Sequence, residues 1–151
     1  MLFRTHLAFS FLAAMVLMQH VTVPNNITFL LVFLFFSVMP DIDEYSSKIS
    51  KGTRPFSTLI QLMVRHRGIF HSIYVPLLIS VVLAVFHQTV LALAAITGYL
   101  SHLFMDALSV QGIRPLAPII NKPIKGFIRV NSILENILFL ILVILVIYQL
   151  L

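Results

Sequence analysis

No cysteine occurs among the 151 residues, which excludes disulfide pairing and every thiolate metal site. Charge is scarce too: Asp, Glu, Lys and Arg make up 10% of the chain, against about 25% in an average soluble domain. Acid is scarcest, with five carboxylates, Asp41, Asp43, Glu44, Asp106 and Glu135. The sequence has no internal repeat and no low-complexity tract, so it offers no sign of a repeat array or a flexible linker.

What remains is apolar. Hydrophobic residues account for 60% of the chain, and the mean hydropathy is +1.04. One small core cannot bury that much apolar surface. The chain therefore reads as a single integral-membrane domain over residues 1–151. Its opening, MLFRTHLAFSFLAAMVLMQH, has one Arg before an apolar run, as a signal peptide does. The following MQHVTVPNN lacks a small-residue cleavage site, so a retained first span is expected.

Five apolar segments are expected to be helices: about His6–Val23, Asn26–Met39, Ile69–Phe86, Thr89–Leu108 and Ile133–Leu151. A crossing helix needs about 20 apolar residues. The last three segments meet that length, and the second is short. The expected fold is thus an all-α polytopic bundle of about five transmembrane helices. The links between segments alternate. Residues 21–26 and 86–89 are tight and carry no Lys or Arg, whereas 41–67 and 110–131 are long and basic. With Arg4, these two long links hold all ten basic residues. The positive-inside rule then puts the N-terminus and both long links in the cytoplasm. The net charge of +5 fits a membrane surface, and no direct nucleic-acid contact is expected.

Within the first long link, PFSTLIQLMVRH (55–66) has Pro55 at a helix start and apolar residues at helical spacing. It is expected to lie as an amphipathic helix at the interface. The second long link, 112–132, mixes prolines, apolar residues and cations and is expected in the headgroup layer.

The rare ionisable residues fall toward one face of this topology. His6 opens the first segment, Asp41 and Asp43 follow the second, and His66 and His71 flank the start of the third. His102 and Asp106 close the fourth, and Glu135 opens the fifth. His20 and His87 lie at the opposite face and read as bystanders. An ionisable group at a bilayer centre costs on the order of 2.5–3.5 kcal/mol even on lenient scales. His102 and Asp106, at i and i+4, share one helix face and can address one centre. A carboxylate just past a helix C-terminus opposes the macrodipole, so something positive should compensate Asp41 and Asp43. Imidazole and carboxylate without thiolate suit Zn, Fe or Mn. Each residue also has a simpler reading. His102 and Asp106 can form a buried hydrogen-bonded pair, Asp41 and Asp43 can be solvated, and His66 and Arg67 can anchor a basic surface. Glu135 completes Ser132-Ile-Leu-Glu135, a capping-box pattern.

PDID (40–43), HRGIFHS (66–72), GYLSHLFMDALSVQGIRPLAP (98–118), the later Glu135 and the histidine of RTHLAFS together resemble the YdjM-like family of inner-membrane metal-dependent hydrolases, also described as LexA-binding. The resemblance covers nearly the whole chain and is carried chiefly by HRG-x-x-HS and SH-x-x-x-D. It implies a prokaryotic inner-membrane location, a helical bundle and a distant similarity to the zinc-dependent phospholipase C fold. It also implies His6, Asp41, Asp43, His66, His71, His102, Asp106 and Glu135 as metal ligands. Eight ligands exceed the three or so that one catalytic zinc takes, so two or more divalent ions are expected, Zn first, with Mn or Fe as alternatives. In that reading Asp43, Arg67 and Glu135 are the catalytic groups. Arg67, Lys122, Lys125 and Arg129 bind substrate, a phospholipid or other membrane-associated phosphoester. Membrane lipids are the expected partners, and a LexA-type repressor is implied by the resemblance alone. Two other classes stay open: a metal-braced interaction or scaffold protein, and an ion transporter, which the apolar outer halves of the segments disfavour.

Overall fold

The computed structural model describes residues 1–41 and 71–151. The expected interfacial helix at 55–66, and Asp43, Glu44, His66 and Arg67, lie outside the described residues. Among the described residues there are five α-helices: α1 (Phe3–His20), α2 (Asn26–Val38), α3 (Tyr74–Val85), α4 (Thr89–Ala107) and α5 (Ile133–Leu150). A 3-10 turn, Met39–Asp41, follows α2. No strand occurs among the described residues, only isolated bridges in the link between α4 and α5.

Local chemistry sets the helix limits. The Asn25 side chain accepts a hydrogen bond from the Thr28 N–H at 3.0 Å and caps α2. At its other end Pro40 has no N–H to continue the ladder, and the chain tightens into the 3-10 turn. Among the described residues the third segment is helical from Tyr74, after a turn at 71–73. Pro76 explains this start, because a proline ring clashes with the carbonyl four residues earlier, here Ser72. The turn is held by a hydrogen bond from the Ile73 N–H to the Pro115 carbonyl at 2.9 Å.

The helix α4 is the centre of the bundle and packs against α1, α2 and α3. The first half of its buried face is built from small residues, Ala92, Ala94, Ala95 and Gly98, which let backbones approach closely. At Gly98 the approach is closest: a Cβ there would overlap the Phe33 carbonyl of α2. Phe29 and Phe33 fill the space beside Ala14 and Ala94. Helix α5 packs on α1.

At about 1.5 Å per residue, the 19 residues of α4 and 18 of α5 run about 28 and 27 Å. Those lengths approach the roughly 30 Å hydrocarbon core of a bilayer. These two helices are long and apolar enough to cross a membrane. The others fall short in different ways. Helices α2 and α3 are apolar but have 13 and 12 residues. Helix α1 has 18 residues but carries Arg4, His6, Gln19 and His20 near its ends. The expectation of about five transmembrane helices is therefore corrected: five helices form among the described residues, and two meet the length and apolarity of a span.

Candidate metal centre

Four helix ends meet at one end of the bundle. The N-terminal turns of α1 and the segment leading into α3 bring His6 and His71. The C-terminal ends of α2 and α4 bring Asp41, His102 and Asp106. Two carboxylates thus sit at the negative ends of two helix dipoles, where a cation is favoured and an anion is not.

The orientation of His102 is set by backbone. Ser37 lies in the last turn of α2, where carbonyls have no partner within the helix. Its oxygen lies 2.8 Å from His102 Nδ1. A carbonyl only accepts, so Nδ1 carries a proton and Nε2 is the nitrogen left to meet a metal ion or a second proton. That Nε2 is buried without a hydrogen-bond partner, and it faces Asp106 Oδ2 at 3.3 Å and Asp41 Oδ1 at 3.5 Å. Two carboxylates converging on one imidazole nitrogen favour a positive charge between them, and a metal ion on Nε2 would supply it.

The spacing suits a metal ion. His71 Nε2 lies 3.7 Å from Asp106 Oδ2, and the ligand atoms of Asp41, His71, His102 and Asp106 all lie within 4.8 Å of one another. A tetrahedral zinc with bonds of about 2.0–2.1 Å has ligand atoms about 3.3 Å apart. The edges of 3.3, 3.5 and 3.7 Å are therefore close to those a small divalent ion would draw together. The all-imidazole-and-carboxylate donor set is of the type that zinc, iron and manganese accept. Ser37 supplies the outer hydrogen bond that metal-binding histidines commonly make.

Asp106 has two faces. Its Oδ2 addresses His71 and His102, while its Oδ1 lies 3.1 Å from His6 Nε2 and accepts from the Met1 amine at 3.0 Å. The His6 ring stacks on His102 with centroids 4.2 Å apart and planes 13° from parallel. His6 is buried and its Nδ1 has no hydrogen-bond partner. Deeper in the bundle, the hydroxyls of Ser10 and Ser101 share a buried hydrogen bond of 2.8 Å between α1 and α4.

Of the residues that the sequence marks as candidates, His6, Asp41, His71, His102 and Asp106 are brought together. Glu135 is used differently. Its carboxylate is fully buried and accepts from the Leu2 N–H at 2.6 Å and the Asn131 N–H at 2.5 Å. Its own N–H donates to Ser132 Oγ at 3.3 Å. This is half a capping box, with the carboxylate reaching one residue further back than usual and across to α1. Lys122, Lys125 and Arg129 are exposed on the link between α4 and α5. The Ser37 carbonyl, the Met1 amine and the Ser10–Ser101 pair are not among the sequence candidates. Ser10 and Ser101 carry a faint signal, as polar residues at helix positions otherwise apolar.

The fold and the cluster define a helical membrane protein with a group of side chains suited to a divalent metal ion. The chain belongs to the YdjM inner membrane protein family, whose family model matches residues 1–151. It has no significant match among curated proteins or among solved structures.

Proposed function

We propose that the chain is a multi-pass membrane hydrolase that depends on a divalent metal and cleaves a phospholipid or other membrane-associated phosphoester. The observation that carries this reading is the convergence of Asp41, His71, His102 and Asp106 within 4.8 Å at one end of an apolar bundle. Those four residues would hold one ion, and a metal bound there supplies Lewis acidity toward a phosphoryl oxygen. The Nε2 edge of His102 is aimed by the Ser37 carbonyl and the T-shaped contact with His71, whose ring centroid is 5.8 Å away. His6, on the far face of Asp106, extends the donor set toward a second ion, for which Asp43 and His66 are further sequence candidates. Arg67 is the candidate phosphate clamp. Glu135 acts in this reading as a positioning residue, holding the start of α1 against the start of α5. The basic residues at this end, Arg4, Arg114, Lys122, Lys125 and Arg129, support a cytoplasmic orientation of the cluster.

A second reading is favoured by one observation. Asp106 Oδ1 already pairs with the Met1 amine and His6, so the cluster also serves as cement between α1 and α4. In that reading the metal braces a scaffold, and the basic links dock a protein such as a repressor. One experiment separates the two. Metal content and phosphoesterase activity are measured on the purified protein in lipid, alongside His102→Ala/Asp106→Ala. Bound metal with turnover, both lost in the double variant, supports the hydrolase. Bound metal without turnover against phospholipid and phosphoester substrates supports the scaffold. No metal after repletion with Zn and Mn overturns both.

A further inference from the structure

The link between α4 and α5, residues 108–132, joins the two helices long enough to cross a membrane and therefore lies at one membrane face. It is an ordered structure. Ile113 and Ile124 exchange backbone hydrogen bonds of 2.9 and 2.8 Å. The Val110 N–H donates to the Ile128 carbonyl at 3.0 Å, and the Gly126 N–H to the Ser109 carbonyl at 2.9 Å. A Cβ at Gly126 would overlap the Leu108 carbonyl, so the hairpin is pressed against the end of α4.

What this platform presents is unusual for a surface exposed to water. Ile119, Ile120 and Phe127 are 74, 50 and 72% exposed. Lys122, Lys125 and Arg129 stand among them, also exposed. Between Asp106 and Glu135 there is no acidic residue. Apolar side chains alone would suit any lipid, and cations alone would suit any polyanion. Interleaved at the mouth of two membrane helices, they match an interface in which acyl chains lie directly beneath negative headgroups.

We propose that residues 114–130 form a docking platform for anionic phospholipid, with Ile119, Ile120 and Phe127 inserted at the acyl boundary and Lys122, Lys125 and Arg129 on the headgroups. The platform is tied to the metal cluster at two points. The Pro115 carbonyl accepts from Ile73, two residues from His71. Ser109 Oγ donates to the Asp106 carbonyl at 2.8 Å. Lipid held on the platform is therefore delivered beside the cluster. The assignment of the platform stands on its own exposure and charge and does not depend on catalysis.

The chain contains no tryptophan, so Phe127→Trp gives a single reporter. The protein is placed in nanodiscs of phosphatidylcholine doped with brominated phosphatidylglycerol or, at equal mole fraction, brominated phosphatidylcholine. Blue-shifted emission quenched more strongly by the brominated anionic lipid is expected. Each cation near an anionic surface contributes about 1 kcal/mol. Lys122→Gln/Lys125→Gln/Arg129→Gln in the same background should then cut the preference for the anionic lipid about 100-fold or abolish it. Lys122→Arg/Lys125→Arg should keep it. Water-like emission unquenched by either lipid, or equal quenching by both with the cations intact, overturns the proposal. The readout needs neither metal nor turnover, so its failure is distinct from failure of the hydrolase reading.

Discussion

Helices α4 and α5 are alike in length and both meet the requirements of a span, yet half of α4 is buried inside the protein and about a tenth of α5 is (50% against 11%). The difference is written in side-chain size. The first half of the buried face of α4 is Ala92, Ala94, Ala95 and Gly98, where its neighbours come close to backbone, and the second half adds Tyr99, Leu103 and Met105. Helix α5 is nearly continuous Ile, Leu and Val, which gain nothing from burial when the surroundings are hydrocarbon. A small-residue helix gathers partners and can then carry polar groups inward, and α4 carries His102 and Asp106. A large-residue helix faces lipid, and the one acid of α5 sits in its first turn, fully enclosed by backbone donors.

That contrast can be broken most severely at Gly98. Because a side chain there meets the Phe33 backbone rather than a mobile side chain, Gly98→Val is expected to cost more than about 3 kcal/mol. The measure is loss of folded protein from membranes and a lowered midpoint of denaturation in detergent. The metal cluster gives the next largest effect. An ion present at about 100 times its Kd stabilises by about 2.7 kcal/mol, so zinc should raise the thermal midpoint of the wild-type protein. It should leave that of His102→Ala/Asp106→Ala unmoved. Ser10→Ala removes one buried hydrogen bond between α1 and α4 and is expected to cost about 1 kcal/mol. On α5, Leu140→Ala at a position 59% exposed should change stability by less than about 0.5 kcal/mol. A large loss at Leu140 would mean that this exposed face of α5 also packs against protein, and the contrast with α4 would fail.

The order of residues alone makes much of this legible. Apolar runs and turns locate all five helices, and α4 and α5 match their segments to within about a residue. His102 and Asp106 stand out because an ionisable pair at i, i+4 in an apolar helix is costly without a purpose. What stays hidden depends on backbone. The start of α3 at Tyr74 follows from Pro76, whose clash with a single carbonyl leaves no trace in the hydropathy of the run. The proton on His102 Nδ1 follows from the Ser37 carbonyl, which every residue type would offer. Glu135 is ambiguous between ligand and cap because the same buried carboxylate serves either, and only the positions of the Leu2 and Asn131 N–H groups distinguish them.

The bond from Leu2 to Glu135 spans 133 residues of chain. Ribosomes add about 5–20 residues each second, so the start of α1 waits many seconds in the membrane before its anchor is made. The packing of α1 on α2 and α4, and with it the contact of His6 with Asp106, involves no residue of α5. The residues of the cluster all precede α5, so a chain lacking α5 is expected to keep His6 on Asp106 and to lose only the late clamp on the start of α1.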